Sequence, residues 1–213
     1  QQVVITVPAS FDETARELTL EAAEHAGYKN ITLLEEPLAV FYSWLNQNED
    51  TWTEILQPGE KTLVIDIGGG TTDFSIIELN EQGSLSRTVA GEHLLLGGDN
   101  IDIALAKMIE AQWKAHLKPN EWTSLCQQTR KAKEELLSST DLEEAEVVLL
   151  SKGSSLIGNM RKSTVTRCDL EELLTDGFFP QITSESEPVK KRSGIQTMGL
   201  PYVTDPAATK HLL

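Results

Sequence analysis

Residues 64–74, VIDIGGGTTDF, bring together residue types that bind phosphate and a divalent cation. Asp66 and Asp73 stand on either side of three glycines and two threonines, namely Gly68, Gly69, Gly70, Thr71 and Thr72. Glycines can adopt positive φ and leave successive amides uncovered, and threonine hydroxyls add donors, so the run can hold a phosphate. Two carboxylates beside a polyanion require a cation such as Mg²⁺. The pattern favours a phosphate and magnesium site, and a plain hairpin turn is the alternative.

The segments that flank the glycines predict which kind of phosphate loop this is. Residues 62–67 and 73–79 have the β-branched, apolar composition of strands, so the loop joins a strand to a strand. Walker-type and Rossmann loops both lead into a helix, and a Walker-type loop also ends in Gly-Lys-Ser or Gly-Lys-Thr. Neither feature follows Gly70. We therefore expect a β-turn loop, followed by a third antiparallel strand at residues 85–91.

Apolar periodicity and turn residues predict the elements that position this loop. The expected strands are residues 3–7, 31–34, 146–150 and 155–157, and the expected helices are residues 10–27, 38–45, 97–116, 122–138 and 166–174. Two segments, residues 10–13 and 166–169, have the spacing of capping boxes. Residues 46–60 predict a loop and a domain boundary, and the proline-interrupted residues 176–213 predict a loop-rich connector.

The composition of the chain limits the partners that it can bind. The 213 residues carry a formal net charge of −15, which argues against nucleic acid and an anionic membrane, because both demand clustered lysine and arginine. Cys126 and Cys168 are far apart, and the four histidines show no metal-ligand spacing. We expect reduced cysteines of a cytoplasmic protein and no zinc site. The chain begins with Gln1 and no methionine, as expected for a piece of a longer protein.

Several segments, in the right order, resemble the heat-shock protein 70 (DnaK-type) chaperone family of the actin-like ATPase superfamily. VIDIGGGTTDFSIIEL is similar to the second phosphate-binding segment of that family, and residues 3–41 are similar to its segment from a VPA strand end to an N-E-P-T-A-A turn. Residues 97–102 resemble its G-G-E-D-F-D, residues 130–136 its E-x-A-K-x-x-L-S and residues 165–171 its I-T-R-x-x-F-E. The resemblance implies an α/β fold of the actin-like ATPase (ribonuclease H-like) type, mainly lobe II with a small α+β subdomain.

The resemblance implies roles for the residues at the phosphate and metal end. Asp66 would orient the attacking water and help to hold hydrated magnesium, and Asp73 would be the second carboxylate there. Glu36, the glutamate before a proline, would lie near the water and the metal. Thr71 is the fourth residue with an implied catalytic role. Contacts with the nucleotide are implied for Gly68, Gly69, Gly70, Thr71, Thr72, Gly97, Gly98 and Lys133.

Two further residues match the part of the family's machinery that reports the nucleotide state to a peptide-binding domain. Pro8 matches its proline switch and Arg16 its arginine relay. Taken alone, the residues leave plainer roles open: Pro8 can end a strand, Arg16 can be a surface residue of a helix, and Glu36 can cap the next helix. The nucleoside end departs from the family, because Arg130 replaces a glutamate and Leu137 a serine. These changes affect the expected purine contacts and leave the phosphate and metal end intact.

The resemblance also implies how the chain divides. The expected parts are the end of lobe I at residues 1–45, the phosphate-binding core of lobe II at 61–116, its smaller subdomain at 117–162, its return helix at 163–175 and the connector at 176–213. The family's first phosphate loop and catalytic lysine are expected before residue 1. Its late adenosine motif is expected beyond residue 213, after an insertion.

The implied function is binding of magnesium and ATP or ADP, with ATP hydrolysis to ADP and phosphate in the full-length protein driving protein folding. Unfolded client peptides and co-chaperones would be partners of that full-length protein, and neither nucleic acid nor a membrane would be. The isolated chain is expected to be inactive. Two alternatives stay open: a sugar kinase or polyphosphatase of the same superfamily, and a nucleotide sensor that does not hydrolyse.

Overall fold

A computed structural model describes residues 2–91, 93–150, 160–189 and 205–212 as a mixed α/β structure. The strands are β1 (Val3–Val7), β2 (Ile31–Glu35), β3 (Lys61–Ile67), β4 (Thr72–Leu79), β5 (Leu85–Ala90), β6 (Glu144–Leu150) and β7 (Met160–Thr166). The α-helices are α1 (Glu13–His25), α2 (Glu36–Gln47), α3 (Trp52–Ile55), α4 (Gly98–Trp113), α5 (Pro119–Ser138) and α6 (Arg167–Glu172). The chain divides into two compact units, one of residues 1–67 with 72–94 and one of residues 68–71 with 95–213.

The first unit contains two sheets. β1 and β2 pair in parallel, with α1 as the crossover between them. β3, β4 and β5 form an antiparallel sheet in that order, which confirms the three antiparallel strands expected from the sequence. Five buried side chains form the core that joins α2 and the segment after α3 to this sheet: Phe41, Leu56, Val64, Ile77 and Leu79.

The second unit is built around the packed pair α4 and α5. Leu105 and Ala106 of α4 and Leu125 and Leu136 of α5 are at most 1% exposed. β6 and β7 pair in antiparallel, and the buried side chain of Val147 lies on the β6 strand next to α5 in the fold. Of the α4 face that the apolar periodicity predicts, Ile101, Leu105 and Ile109 are buried, whereas Met108 is 37% exposed.

Helix α1 begins later than the capping pattern predicts. Asp12, not Ser10, is its N-cap, and the Asp12 carboxylate accepts a hydrogen bond of 2.8 Å from the amide of Ala15. Phe11 instead donates its amide to the carbonyl of Pro8 in a turn. Aspartate and serine are equivalent N-caps, so spacing alone could not distinguish them.

Three other differences concern the loops and the last helix. Residues 46–60 include the short helix α3, where a loop was expected. The strand β7 was not predicted, and the expected strand at 155–157 lies outside the described residues. The predicted capping box at residues 166–169 is confirmed, but α6 ends at Glu172 and continues as a π-helical segment, Leu173–Phe178. Within the ranges that the structure describes, no helix has the length and apolarity needed to cross a membrane.

Candidate functional site

Two aspartates lie directly opposite each other in the first unit. Asp66 of β3 and Asp73 of β4 are register partners in the antiparallel pair, so their side chains share one face of the sheet. Side chains at such positions have Cβ atoms about 5 Å apart, and like charges there repel. His93 Nδ1 lies 2.8 Å from Asp73 Oδ1, and the Asp73 side chain is 15% exposed. One of the two carboxylates therefore has a polar partner in the chain.

A third carboxylate belongs to the same electrostatic environment. Glu36 is the first residue of α2 and follows β2 directly. Burial raises the pKa of Glu36, and the negative charges of Asp66 and Asp73 raise it further, whereas His93 lowers it. The negative charges of Asp66 and Asp73 that act on Glu36 make an environment in which a cation is stabilised. The predicted catalytic residues Glu36, Asp66 and Asp73 are thus brought together in one unit.

The donor set around the facing aspartates decides which metal could be held there. Among residues 2–91, 93–150, 160–189 and 205–212, no group of three or more His, Cys, Asp or Glu side chains is arranged to hold an ion directly. Mg²⁺ usually keeps several waters and binds through one or two carboxylates. The facing pair Asp66 and Asp73 matches that donor set.

The glycine loop of the second unit presents unpaired amides. Gly68 donates its amide to the carbonyl of Thr71 at 2.8 Å, which closes the turn. Within the described chain, the amides of Gly69, Gly70 and Thr71 donate no hydrogen bond. Gly68, Gly69 and Gly70 are exposed, and a Cβ placed on Gly70 would meet no atom within 4 Å. The absence of side chains leaves these donors open to an anion from solvent.

The backbone of this loop differs from the expectation in one respect. The positive-φ glycines among the described residues are Gly27, Gly59 and Gly83, so none of the three loop glycines adopts the positive φ that the sequence suggested. An anion-binding nest of successive amides alternates right- and left-handed conformations. The loop therefore offers its donors without that preformed curvature, and glycine serves here to leave space rather than to permit a left-handed turn.

The loop is held by the first turn of α4. Gly98 donates its amide to Gly68 O at 3.0 Å, and Asp99 donates its amide to Gly69 O at 2.7 Å. A Cβ on Gly97 would lie 2.6 Å from both of those carbonyl oxygens, so this approach requires glycine. Gly97 itself donates to Asn100 Oδ1 at 2.8 Å. The nucleotide contacts expected of Gly97 and Gly98 remain predictions, and the structure shows that both residues secure the loop.

Lys133, the predicted nucleotide ligand of α5, is paired inside the protein. Its Nζ donates to Gly98 O at 2.8 Å and lies 2.5 Å from Asp102 Oδ1. The contact with Asp102 is ionic without an aligned hydrogen bond. The side chains of Lys133 and Asp102 are 10% and 5% exposed. The predicted role of Lys133 in binding a nucleotide is untested, and its observed contacts connect α5 to the start of α4.

Arg130, which replaces the family's glutamate, lies in the same cluster. Its Nε donates to Asp102 Oδ2 at 3.1 Å, and its Nη2 contacts Asp99 Oδ1. The hydrogen bond that Arg130 donates to Asp102 and the negative charge of Asp99 raise the pKa of Arg130 above its already high value. Both cations of α5 near the glycine loop's supporting turn are therefore paired with aspartates of α4.

The two threonines of the loop differ in access. Thr71 is half-buried. Thr72 is 0% exposed, and its amide and carbonyl pair with the carbonyl and amide of Leu94 at 2.9 and 3.1 Å. The ligand contact expected of Thr72 stays a prediction, and the burial of its side chain argues against it.

Pro8 and Arg16 lie at the start of α1. Pro8 follows β1, and its carbonyl accepts the amide of Phe11 at 3.1 Å. Arg16 donates from Nε to Phe11 O at 3.2 Å and from Nη2 to Glu35 Oε1 at 2.8 Å. Arg16 is therefore connected to the residue that precedes Glu36. The role of Pro8 and Arg16 in reporting the nucleotide state stays a prediction.

Sequence reasoning missed four residues of these clusters: Glu35, Arg87, His93 and Asp102. Glu35, Arg87 and His93 pair with residues that are 19 to 52 positions away in the sequence. Asp102 pairs with residues of α5 that are 28 or more positions away. Asp102 did stand in the G-G-D-N-I-D segment, which was the one available signal. Periodicity and spacing report neighbours along the chain and not such pairs.

Comparisons with known proteins agree on one family. The family model described as Hsp70 protein matches residues 1–198. A chaperone protein HscA homolog of Shewanella loihica is 34% identical over 179 residues, which cover 78% of this chain and 27% of that protein. A chaperone protein HscA homolog of Acinetobacter baylyi is 36% identical over 134 residues, which cover 62% of this chain and 21% of that protein. The chain spans about a quarter of the length of these curated relatives.

Proposed function

The chain belongs to the Hsp70 protein family, which has the actin-like ATPase fold, and we propose that it is part of the nucleotide-binding domain of a chaperone. In this proposal the full-length protein binds ATP with magnesium and hydrolyses it to ADP and phosphate. The observation that carries the proposal is the run of unpaired amides at Gly69, Gly70 and Thr71, of which the two glycines are exposed and Thr71 is half-buried. The net charge of the chain is −15, so a phosphate site in it cannot depend on an excess of basic side chains. Backbone amides are suitable donors to phosphate oxygens there, because they need no ionisable group.

The carboxylates of the first unit are proposed to serve the metal and the water. Asp66 and Asp73 would hold hydrated magnesium, which supplies positive charge against the phosphates when it is bound. Asp66 would also orient the attacking water, and Glu36, near the water and the metal, would accept its proton. The burial that raises the pKa of Glu36 makes it a stronger proton acceptor than an ordinary glutamate. Phosphoryl transfer depends mainly on such positioning and charge neutralisation.

The proposal extends to the whole protein, of which this chain covers a part. Hydrolysis would drive a change in a peptide-binding domain, through Pro8 and Arg16, and unfolded peptides and co-chaperones would be its partners. The lobe boundaries given for residues 1–45, 61–116 and 117–162 belong to the same proposal. A cytoplasmic location remains a prediction.

The test is ATP turnover by the full-length protein in the presence of magnesium. Asp66→Asn and Glu36→Gln should each lower kcat by about 100-fold, the range for loss of a general base or a charge-stabilising group. Asp50→Asn, at an exposed turn position of the same unit, is the matched control and should leave kcat unchanged. Equal turnover by wild type and Asp66→Asn would overturn the proposal. ATP consumption that depends on an added sugar would instead indicate a kinase of the same superfamily.

A second candidate, a sensor that binds nucleotide without hydrolysis, is favoured by the ion pairs of α5. Lys133 and Arg130 belong to the helix that is expected to flank the nucleoside, and both are engaged by aspartates. Calorimetry of the full-length protein with ATP and magnesium distinguishes the two candidates. Binding by wild type without release of phosphate would favour the sensor.

A further inference from the structure

A carboxylate next to Glu36 is held by two arginines. Arg87 donates from Nε to Glu35 Oε2 at 2.5 Å and from Nη2 to Glu35 Oε1 at 3.0 Å, which is a bidentate arrangement. Arg16 donates from Nη2 to the same Oε1 at 2.8 Å. The side chains of Arg87 and Glu35 are 22% and 17% exposed, so the pair is partly shielded from water.

The position of this cluster explains why it matters for Glu36. Glu35 is the last residue of β2 and the N-cap of α2, yet its side chain caps no amide of the helix. Both of its oxygens are instead engaged by arginines. Arg87 lies on β5, opposite Ile77 of β4, and Arg16 lies on α1. One carboxylate therefore joins the β1–β2 sheet, the β3–β4–β5 sheet and α1 within the first unit.

We propose that Arg87 is a positioning residue for Glu36: by holding Glu35 in a bidentate grip, it fixes the junction of β2 and α2 from which Glu36 extends. The proposal rests on the proposed function in that Glu36 is taken as the carboxylate that accepts the proton of the attacking water. Consecutive Cα atoms are about 3.8 Å apart, so a fixed Glu35 leaves the Glu36 backbone little freedom. Misplacement of a catalytic group by about 1 Å can cost up to 100-fold in rate.

The arginines also serve the charge balance at this junction. Glu35 and Glu36 are adjacent carboxylates, and Glu36 already lies in the field of Asp66 and Asp73. Arg87 and Arg16 neutralise Glu35, so that it does not add to the repulsion around Glu36. Lysine could supply the charge but not the planar two-point contact.

A double-mutant cycle in the full-length protein tests whether Arg87 acts through Glu36. Arg87→Gln should lower kcat by about tenfold and change the KM for ATP by less than about twofold, because Arg87 is engaged by Glu35 and is proposed to act through Glu36. In a Glu36→Gln background the same substitution should lower kcat by less than about twofold. Arg87→Lys should recover only part of the activity. An equal tenfold loss in both backgrounds would overturn the proposal, because it would show that Arg87 acts independently of Glu36.

A second measurement does not depend on ATP turnover. By helix geometry the amides of Ala39 and Val40 are the first that pair with the carbonyls of Glu35 and Glu36. In Arg87→Gln their hydrogen exchange should be about tenfold faster than in wild type. Lys162→Gln, which breaks a surface ion pair between β6 and β7, is the control and should leave them unchanged.

The two measurements distinguish failure of the positioning role of Arg87 from failure of the proposed ATPase function. Unchanged exchange at Ala39 and Val40 in Arg87→Gln would overturn the positioning role whatever the enzymatic activity. If wild type hydrolyses no ATP, the proposed function fails, and the exchange result alone decides the role of Arg87. If Arg87→Gln does not fold, Glu35→Gln is measured in the same way, with the same faster exchange expected, and unchanged exchange in that variant overturns the proposal.

Discussion

At the residue scale, Lys133 shows that a charged side chain in a predicted site can already be paired within the protein. A lysine in the family's nucleotide-binding helix is expected to meet a ligand, but this one lies 2.5 Å from Asp102 and is 10% exposed. Ionised groups at such sites need their partners, because desolvation is otherwise uncompensated. The pair accordingly stabilises the contact between α4 and α5.

The first prediction follows from this burial. Lys133→Met should lower the free energy of unfolding by about 3 kcal/mol, because it leaves the charge of Asp102 partly unpaired in the interior. Lys131→Met is the matched control on the same helix, since Lys131 pairs with Glu135 at 3.6 Å while 70% exposed, and it should cost less than about 1 kcal/mol. Denaturant unfolding followed by tryptophan fluorescence measures both. Equal losses in the two variants would contradict the internal role of Lys133.

The second prediction concerns the pH dependence of stability at Glu35. Its hydrogen bonds with Arg87 and Arg16 hold the pKa of Glu35 below its ordinary value of 4.5, although burial acts in the opposite direction. The Glu35 carboxylate therefore binds a proton less tightly in the native state than in the unfolded state. The stability from Glu35 is present above its ordinary pKa and is lost as the pH falls through the lowered value.

Glu35→Gln should show this linkage directly. Its free energy of unfolding should be lower than that of wild type by about 1–3 kcal/mol near neutral pH, with a difference that shrinks as the pH falls below about 4.5. Urea unfolding at a series of pH values measures the difference, and Glu17→Gln, at an exposed position of α1, is the control. The effect of Glu36 on the pH dependence of stability has the opposite sign. Its pKa is raised in the native state, so protonation of Glu36 favours the native state at low pH. A difference that stays constant with pH would refute the assignment.

At the scale of elements, the sequence predicted the strand–loop–strand unit because each part carries a local signal. β3 and β4 are apolar runs bounded by glycines, and the observed spans Lys61–Ile67 and Thr72–Leu79 differ from the expected ones by one residue at their starts. The register of Asp66 with Asp73 follows from the length of the loop between them. The capping box of α6 was likewise readable, since it lies within four residues.

Other features could not be read in this way. β7, with the sequence MRKSTVT, has polar residues at most positions and becomes a strand only through its pairing with β6. The connection of the glycine loop to α4 depends on backbone contacts between residues 68–69 and 98–99. Such contacts leave no trace in residue type except glycine itself, and Gly97 was assigned to the ligand rather than to this contact.

The third prediction distinguishes the two reasons for glycine here. Gly97→Ala should destabilise the fold by about 1–3 kcal/mol, because its Cβ would lie 2.6 Å from the carbonyls of Gly68 and Gly69. Gly70→Ala should change stability by less than about 0.5 kcal/mol, since nothing lies within 4 Å of the added Cβ. If the amides of the loop bind phosphate, Gly70→Ala should nevertheless weaken ATP binding. Calorimetry and denaturant unfolding of both variants in the full-length protein check these outcomes, and unchanged ATP affinity in Gly70→Ala would count against the loop as a phosphate site.

At the scale of the whole molecule, family membership and the roles of single residues depend on different kinds of information. Family membership and the α/β fold could be predicted from motifs that extend along the chain, and the match to residues 1–198 confirms the family. The roles of single residues were carried over from that resemblance, and several of those residues turn out to be engaged within the chain. A motif identifies the protein family. The contacts of a single residue such as Lys133 depend instead on the residues that surround it in this chain.

The last prediction combines these points for the isolated 213-residue chain. Hydrolysis of ATP requires positive charge around the transferred phosphoryl group. Among the described residues, the glycine loop offers its amides without the curvature of a preformed nest. We therefore expect the isolated chain to release phosphate from ATP no faster than its Asp66→Asn variant, with magnesium present. Faster release by the wild-type chain would show that its own residues suffice for catalysis.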